Sequence, residues 1–69
     1  MQIIFTEHAI NRLKKRKITL EEAELAIKNP DKTRKEGGKY IAKKDIGRAR
    51  IEVVYEKDKY INVLTIYYI

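Results

Sequence analysis

The spacing of apolar residues changes once along the chain, around Asn29-Pro30-Asp31. This change constrains the fold more than any other feature. Before it, apolar residues recur at intervals of three and four, the repeat of a helix face. After it they recur at every second residue, the repeat of a strand with one buried face. Sixty-nine residues have room for a single core. Helices and strands must therefore share that core, which predicts an α+β domain over residues 1–69.

In the first half, Gln2 to Phe5 is a short apolar strand. Thr6 is placed to cap a helix, with Glu7 in its first turn and Lys14, Lys15, Arg16 and Lys17 in its last, the charge order that a helix dipole favours. Ala9, Ile10 and Leu13 form its apolar stripe. Thr19-Leu20-Glu21-Glu22 has the spacing of a capping box, and the second helix is expected to bury Leu20, Ala23 and Ile27. Pro30 disfavours a helical Asn29 and ends it.

In the second half, Thr33 to Glu36 and Lys39 to Ile46 flank Gly37-Gly38, a two-residue hairpin turn. After a turn at Gly47, Arg48 to Glu56 alternates, with Ala49, Ile51, Val53 and Tyr55 on one face and Arg48, Arg50 and Glu52 on the other. Lys57-Asp58-Lys59 is a polar turn. Tyr60 to Tyr68 is apolar enough to be central or covered on both faces. The expected order is β-α-α-β-β-β-β, two helices packed on an antiparallel sheet of four to five strands.

Composition removes several chemistries. The chain has no cysteine and no serine, which excludes disulfides, thiolate metal sites and Cys or Ser nucleophiles. A single histidine is too little for a His-rich metal site, and Glu21, Glu22 and Glu24 read as helix-start charges. No metal or other cofactor is predicted. Gly37-Gly38 precedes a strand rather than a helix, so it is not a phosphate-cradling loop. Three acids at the start of the second helix argue against a helix-turn-helix. With no apolar run of membrane-spanning length and no secretion signal in Met1 to Glu7, the expected location is the cytoplasm, without a membrane partner. One Met and one Gln beside many Lys, Glu and Ile suggest a heat-adapted source.

Sixteen Lys and Arg against ten Asp and Glu give a net charge of +6, which favours an acidic partner, nucleic acid foremost. Arg12-Leu13-Lys14-Lys15-Arg16-Lys17 holds five cations and no acid. Lys39, Lys43, Lys44, Arg48 and Arg50 form a second basic group in the sheet. Among the five tyrosines, Tyr67 and Tyr68 must point to opposite faces, so at most one lines a given site. His8 shares a helix face with Arg12 and Lys15, roughly 40° and 20° away at 100° per residue. An imidazole beside a guanidinium can move a proton while the cation stabilises developing charge. The plain alternative is an exposed histidine on a solvated basic helix.

The stretch Phe5-Thr6-Glu7-His8-Ala9-Ile10-Asn11-Arg12-Leu13-Lys14-Lys15-Arg16-Lys17-Ile18 resembles the opening of a family of small prokaryotic domains of unknown function. That opening has a His-Ala-x-x-Arg core, a second Arg four residues on, and an apolar residue leading into a capped helix. Asn29-Pro30-Asp31 and Arg50-Ile51-Glu52-Val53-Val54-Tyr55 also match, so the resemblance covers nearly the whole chain. The family is in turn similar to the BrnT and RelE toxins, small ribonucleases of toxin-antitoxin pairs. The resemblance implies a RelE-like fold, an acidic antitoxin partner, and metal-independent RNA cleavage in which the 2′-OH attacks the adjacent phosphate. It places His8, Arg12 and Arg16 in the helix motif, and Arg48, Arg50 and Tyr67 by strand position. The chain departs from the pattern in having no second histidine, and in carrying Lys17 where the family often has Gly.

Three functions follow as expectations. The first is a ribonuclease with His8 as general acid or base, Arg12, Arg50 and Tyr67 completing the catalytic set, and Lys15, Arg16, Lys43, Lys44 and Arg48 holding the RNA backbone. The second is a nucleic-acid-binding module without catalysis. The third is a protein-interaction domain, including self-association through an edge strand formed by Gln2 to Phe5 or Tyr60 to Ile69.

Overall fold

The computed structural model describes residues 1–69. The elements run β1 (Ile3–Phe5), α1 (Glu7–Arg16), α2 (Leu20–Lys28), β2 (Lys32–Glu36), β3 (Lys39–Asp45), β4 (Arg50–Lys57) and β5 (Ile61–Tyr68). This is the expected α+β order. The strands make one five-stranded sheet in the order β1-β5-β4-β3-β2. All neighbours are antiparallel except β1 and β5, which pair in parallel with Ile3 opposite Ile61 and Phe5 opposite Val63. The final strand therefore lies between β4 and β1, and β1 pairs with it over Ile61–Val63; the outermost strands are β1 and β2.

Local signals in the sequence set the element ends. The Thr6 hydroxyl accepts from the Ala9 N–H at 3.0 Å and caps α1. The capping box of α2 is complete, with Thr19 and Glu22 exchanging two hydrogen bonds of 3.0 Å. Gly37 and Gly38 both have positive φ, 53° and 79°, as a two-residue turn between twisted strands requires.

Helices cover one face of the sheet. Ile51, Val53, Val63 and Ile66 are fully buried beneath them, and Ala9, Ala23 and Ala26 are fully buried on the helix side. Alanines at these contacts let helix backbones approach the sheet closely, while the branched residues fill the space between. The buried positions of α2 are Ala23, Ala26 and Ile27, not the expected Leu20, which is 46% exposed. Leu20 is the first residue of α2 and lies roughly 65° from the centre of the buried arc, at the exposed end of the helix. In α1 the sheet-facing residues are Ala9 and Leu13, and Ile10 is only half-buried.

Lys17 ends α1 in the left-handed conformation, φ 56° and ψ 45°, and is the one non-glycine residue with positive φ. Such a position costs a side-chain-bearing residue about 1–2 kcal/mol, partly offset in a glycine by its freer unfolded chain. Lys17→Gly is expected to raise stability by about 0.5–1 kcal/mol, read as a higher urea midpoint with unchanged slope.

Candidate functional site on the uncovered sheet face

The sheet face opposite the helices carries the alternate residues of each strand. Register aligns Lys32 of β2, Lys43 of β3, Glu52 of β4 and Tyr67 of β5 in a single row across it. Neighbours along such a row are about 5 Å apart, so these side chains meet. Glu52 lies at the centre and is only 6% exposed. The Tyr67 hydroxyl donates to its Oε1 at 2.6 Å. Arg34, one row along, donates from Nη1 to its Oε2 at 3.3 Å, and the Lys43 ammonium stands 4.0 Å from the same oxygen. Arg34 also donates through Nε to Glu36 at 2.8 Å. A depression of about 100 Å³ opens beside Glu52, lined by Lys32, Arg34, Ile41 and Lys43.

The electrostatics follow from these contacts. The hydrogen bond from Tyr67, then those from Arg34, hold the Glu52 carboxyl below its ordinary value against the opposing effect of burial. The same bond, with burial, pushes the Tyr67 phenol above its ordinary value. At neutral pH the pair is a phenol donating to a carboxylate. A hydroxyl whose proton is drawn toward a carboxylate becomes a better acceptor at its own oxygen. Lys32, Lys43 and Arg34 make the surroundings of the depression cationic.

The expected site residues divide between two surfaces. Lys43, Arg50 and Tyr67 share the uncovered face, Arg50 being two residues from Glu52 along β4. His8 and Lys15 are exposed on α1, in the layer against the other face. Arg12 is half-buried there, and its Nε is buried without a hydrogen-bond partner. Strand alternation thus separates His8 and Arg12 from Tyr67 and Arg50. The basic helix lies over the apolar side of the sheet, not over its basic side.

Three expected backbone-holding cations are engaged internally. Arg16 donates from Nη1 to the Ile66 carbonyl at 2.6 Å, fastening α1 to β5. Lys44 lies on the helix-facing side of β3 and donates to Asp31 at 3.3 Å. Arg48 is outside β4, in the turn after Gly47 (φ 94°), and so does not share the face of Arg50 and Glu52. Its guanidinium bonds both oxygens of Glu22, at 3.0 and 2.7 Å, the Lys17 carbonyl at 2.9 Å and the Tyr68 hydroxyl at 3.1 Å. One side chain thereby ties α1, α2 and β5 together. Arg48 is about half exposed, and solvent screens its ion pair. Arg48→Ala is expected to lower the urea midpoint, with Arg48→Lys recovering little because an ammonium lacks the planar fork; urea titration of the three proteins checks this.

Glu52 and Arg34 were not expected at the site. The signal for Glu52 was present in Ile51-Glu52-Val53, a carboxylate at the middle of the most regular alternating strand. Nothing local distinguished Arg34 from the other cations, because its role depends on β2 lying two strands from β4.

A family model described as a domain of unknown function (DUF4258) matches residues 5–68. The chain belongs to that family. The DUF4258 match runs from the end of β1 to the end of β5, so it includes both helices and the whole Lys32–Lys43–Glu52–Tyr67 row. Comparison with curated proteins and with solved structures finds no match. No helix is long and apolar enough to cross a membrane.

Proposed function

We propose that this DUF4258 domain is a metal-independent endoribonuclease of the RelE-like type, acting through the uncovered sheet face. The observation that carries this reading is the Tyr67–Glu52 pair with Arg34 and Lys43 around it, on a face that no helix covers. RNA supplies what that face lacks: phosphate oxygens for the cations, and a 2′-hydroxyl for the Tyr67 oxygen. The 2′-OH donates to Tyr67, whose own proton is held by Glu52, and is thereby made more nucleophilic. Its oxygen attacks the adjacent phosphorus as the bond to the 5′-oxygen breaks, leaving a 2′,3′-cyclic phosphate and a 5′-hydroxyl. The 2′ proton leaves to water past Tyr67, the Lys43 ammonium protonates the departing oxygen, and Lys43 then regains a proton from water. Arg34 and Arg50 stabilise the charge on the pentacoordinate phosphorus. Glu52 has both oxygens engaged, so it is a positioning residue rather than the base.

That engagement of Glu52 also favours a second reading, an RNA-binding module without chemistry. Incubation of RNA with the protein in EDTA separates the two. Cyclic-phosphate ends that disappear in Tyr67→Phe support cleavage. Intact RNA with salt-sensitive binding supports the module. Cleavage that depends on His8 and Arg12 but not on Tyr67 would move the site to the helix and overturn the sheet-face assignment.

A further inference from the structure

We propose that the groove along the C-terminal half of α1 and the turn into α2 is a docking site for an acidic amphipathic peptide segment of another protein. The groove encloses about 380 Å³ and is lined by Ile10, Leu13, Ile18 and Leu20, with Lys14, Lys17 and Thr19. Its floor is apolar, since Leu13 and Ile18 are buried, and Leu20 stands in it 46% exposed. No other element of the chain covers it. A segment that fits brings apolar side chains at helical spacing for the floor and carboxylates for Lys14 and Lys17. The charged side chains that line the groove are Lys14 and Lys17 alone, and this charge selects a segment that carries carboxylates.

Lys17 provides an independent observation. It occupies a left-handed backbone position at which a glycine would be unstrained, and it keeps a side chain that lines the groove. Strain retained at a surface position points to a use for the side chain held there. The groove is on the helix layer, away from Glu52 and Tyr67, so this inference does not rest on the ribonuclease reading. Its occupant leaves the uncovered sheet face open.

The test uses a fluorescein-labelled helical peptide of about 18 residues, built from Leu, Ala and Glu with Leu along one face, and its counterpart with Lys for Glu. Fluorescence anisotropy is expected to show binding of the acidic peptide alone. Its Kd should rise tenfold or more in Leu20→Glu and several-fold in Lys17→Gly, a variant expected to be better folded than the parent. RNA cleavage or binding should be unchanged in Leu20→Glu. Absence of acidic-peptide binding, equal binding of the basic peptide, or affinity unmoved by both substitutions would overturn the proposal. So would a wild-type dimer in sedimentation velocity that Leu20→Glu dissociates, which would make the occupant a second copy.

Discussion

Glu52→Ala is expected to lower the folding free energy by about 2–3 kcal/mol, the loss characteristic of removing an acceptor that several donors share. The substitution removes the acceptor of the Tyr67 hydroxyl and of Arg34 Nη1, and leaves Lys43 facing Arg34 without a carboxylate between them. Arg34 and Lys43 are partly exposed and rehydrate, which keeps the loss below that of a fully buried pair. A domain of this length holds on the order of 5 kcal/mol in total, so the change takes away about half of it. Glu52→Gln retains an oxygen for Tyr67 but puts an NH2 group where Oε2 accepts from Arg34, so its loss should be smaller, about 1–2 kcal/mol. Urea titrations of the three proteins at neutral pH read the order directly. If Glu52→Ala were as stable as the parent, the cluster would be an assembly of screened surface charges rather than a built site.

The pH dependence has a definite sign. Glu52, Glu22 and Asp31 are all held below their ordinary values, by Tyr67, by Arg48 and by the Asp45 backbone N–H respectively as the largest cause. A carboxylate depressed in the folded state stabilises it fully above the unfolded value, about 4.5 for Glu. That contribution declines as pH falls through the lower, folded value. The stability gap between parent and Glu52→Gln is therefore expected to be widest at neutral pH and to close below about pH 4.5 as Glu52 gains its proton.

Element type and order were legible because each depended on local chemistry. Thr6 and Thr19 capped their helices, Gly37-Gly38 turned the hairpin, and period two marked the strands. The parallel pairing of β1 with β5 was not legible. It joins Ile3 to Ile61 across the whole chain, and no local pattern records it. The site was divided for the same reason. Alternation placed Tyr67 and Tyr68 on opposite faces from sequence alone, and Tyr68 indeed turns to α1, donating to the Arg16 carbonyl at 2.6 Å. The alternation of β4 also marked Ile51, Val53 and Tyr55 as the face for the helices, but the basic helix was still expected to share a site with the basic face. His8 and Tyr67 therefore looked like candidates for one site, yet they lie on opposite sides of the sheet. Arg48 was assigned by extending the β4 alternation two residues too far, through a turn whose direction Gly47 sets.

On the ribonuclease reading, Tyr67→Phe is expected to reduce the cleavage rate in EDTA by about 10²-fold, the scale of losing one positioned group at the reacting atoms. The phenylalanine ring keeps the packing of β5 and removes only the oxygen that meets the 2′-hydroxyl and the proton that Glu52 holds. Replacing Arg34 and Lys43 together by Ala should cost about 10²–10³-fold, because the developing phosphorane charge loses Arg34 and the departing oxygen loses its proton donor. Binding and chemistry can then be separated. Each phosphate contact to single-stranded RNA contributes about 0.7 to the slope of log affinity against log salt, so the double variant should lose roughly 1.4 of that slope. Tyr67→Phe should leave the slope unchanged. His8→Ala lies in the other layer and should alter the rate by less than about twofold, a change too small for a positioned acid or base. The pair of measurements is decisive in combination. A slope that falls in the double variant, with no cleavage in any protein, makes the face a binding surface. A rate that falls in Tyr67→Phe while the slope holds assigns chemistry to the hydroxyl that Glu52 orients.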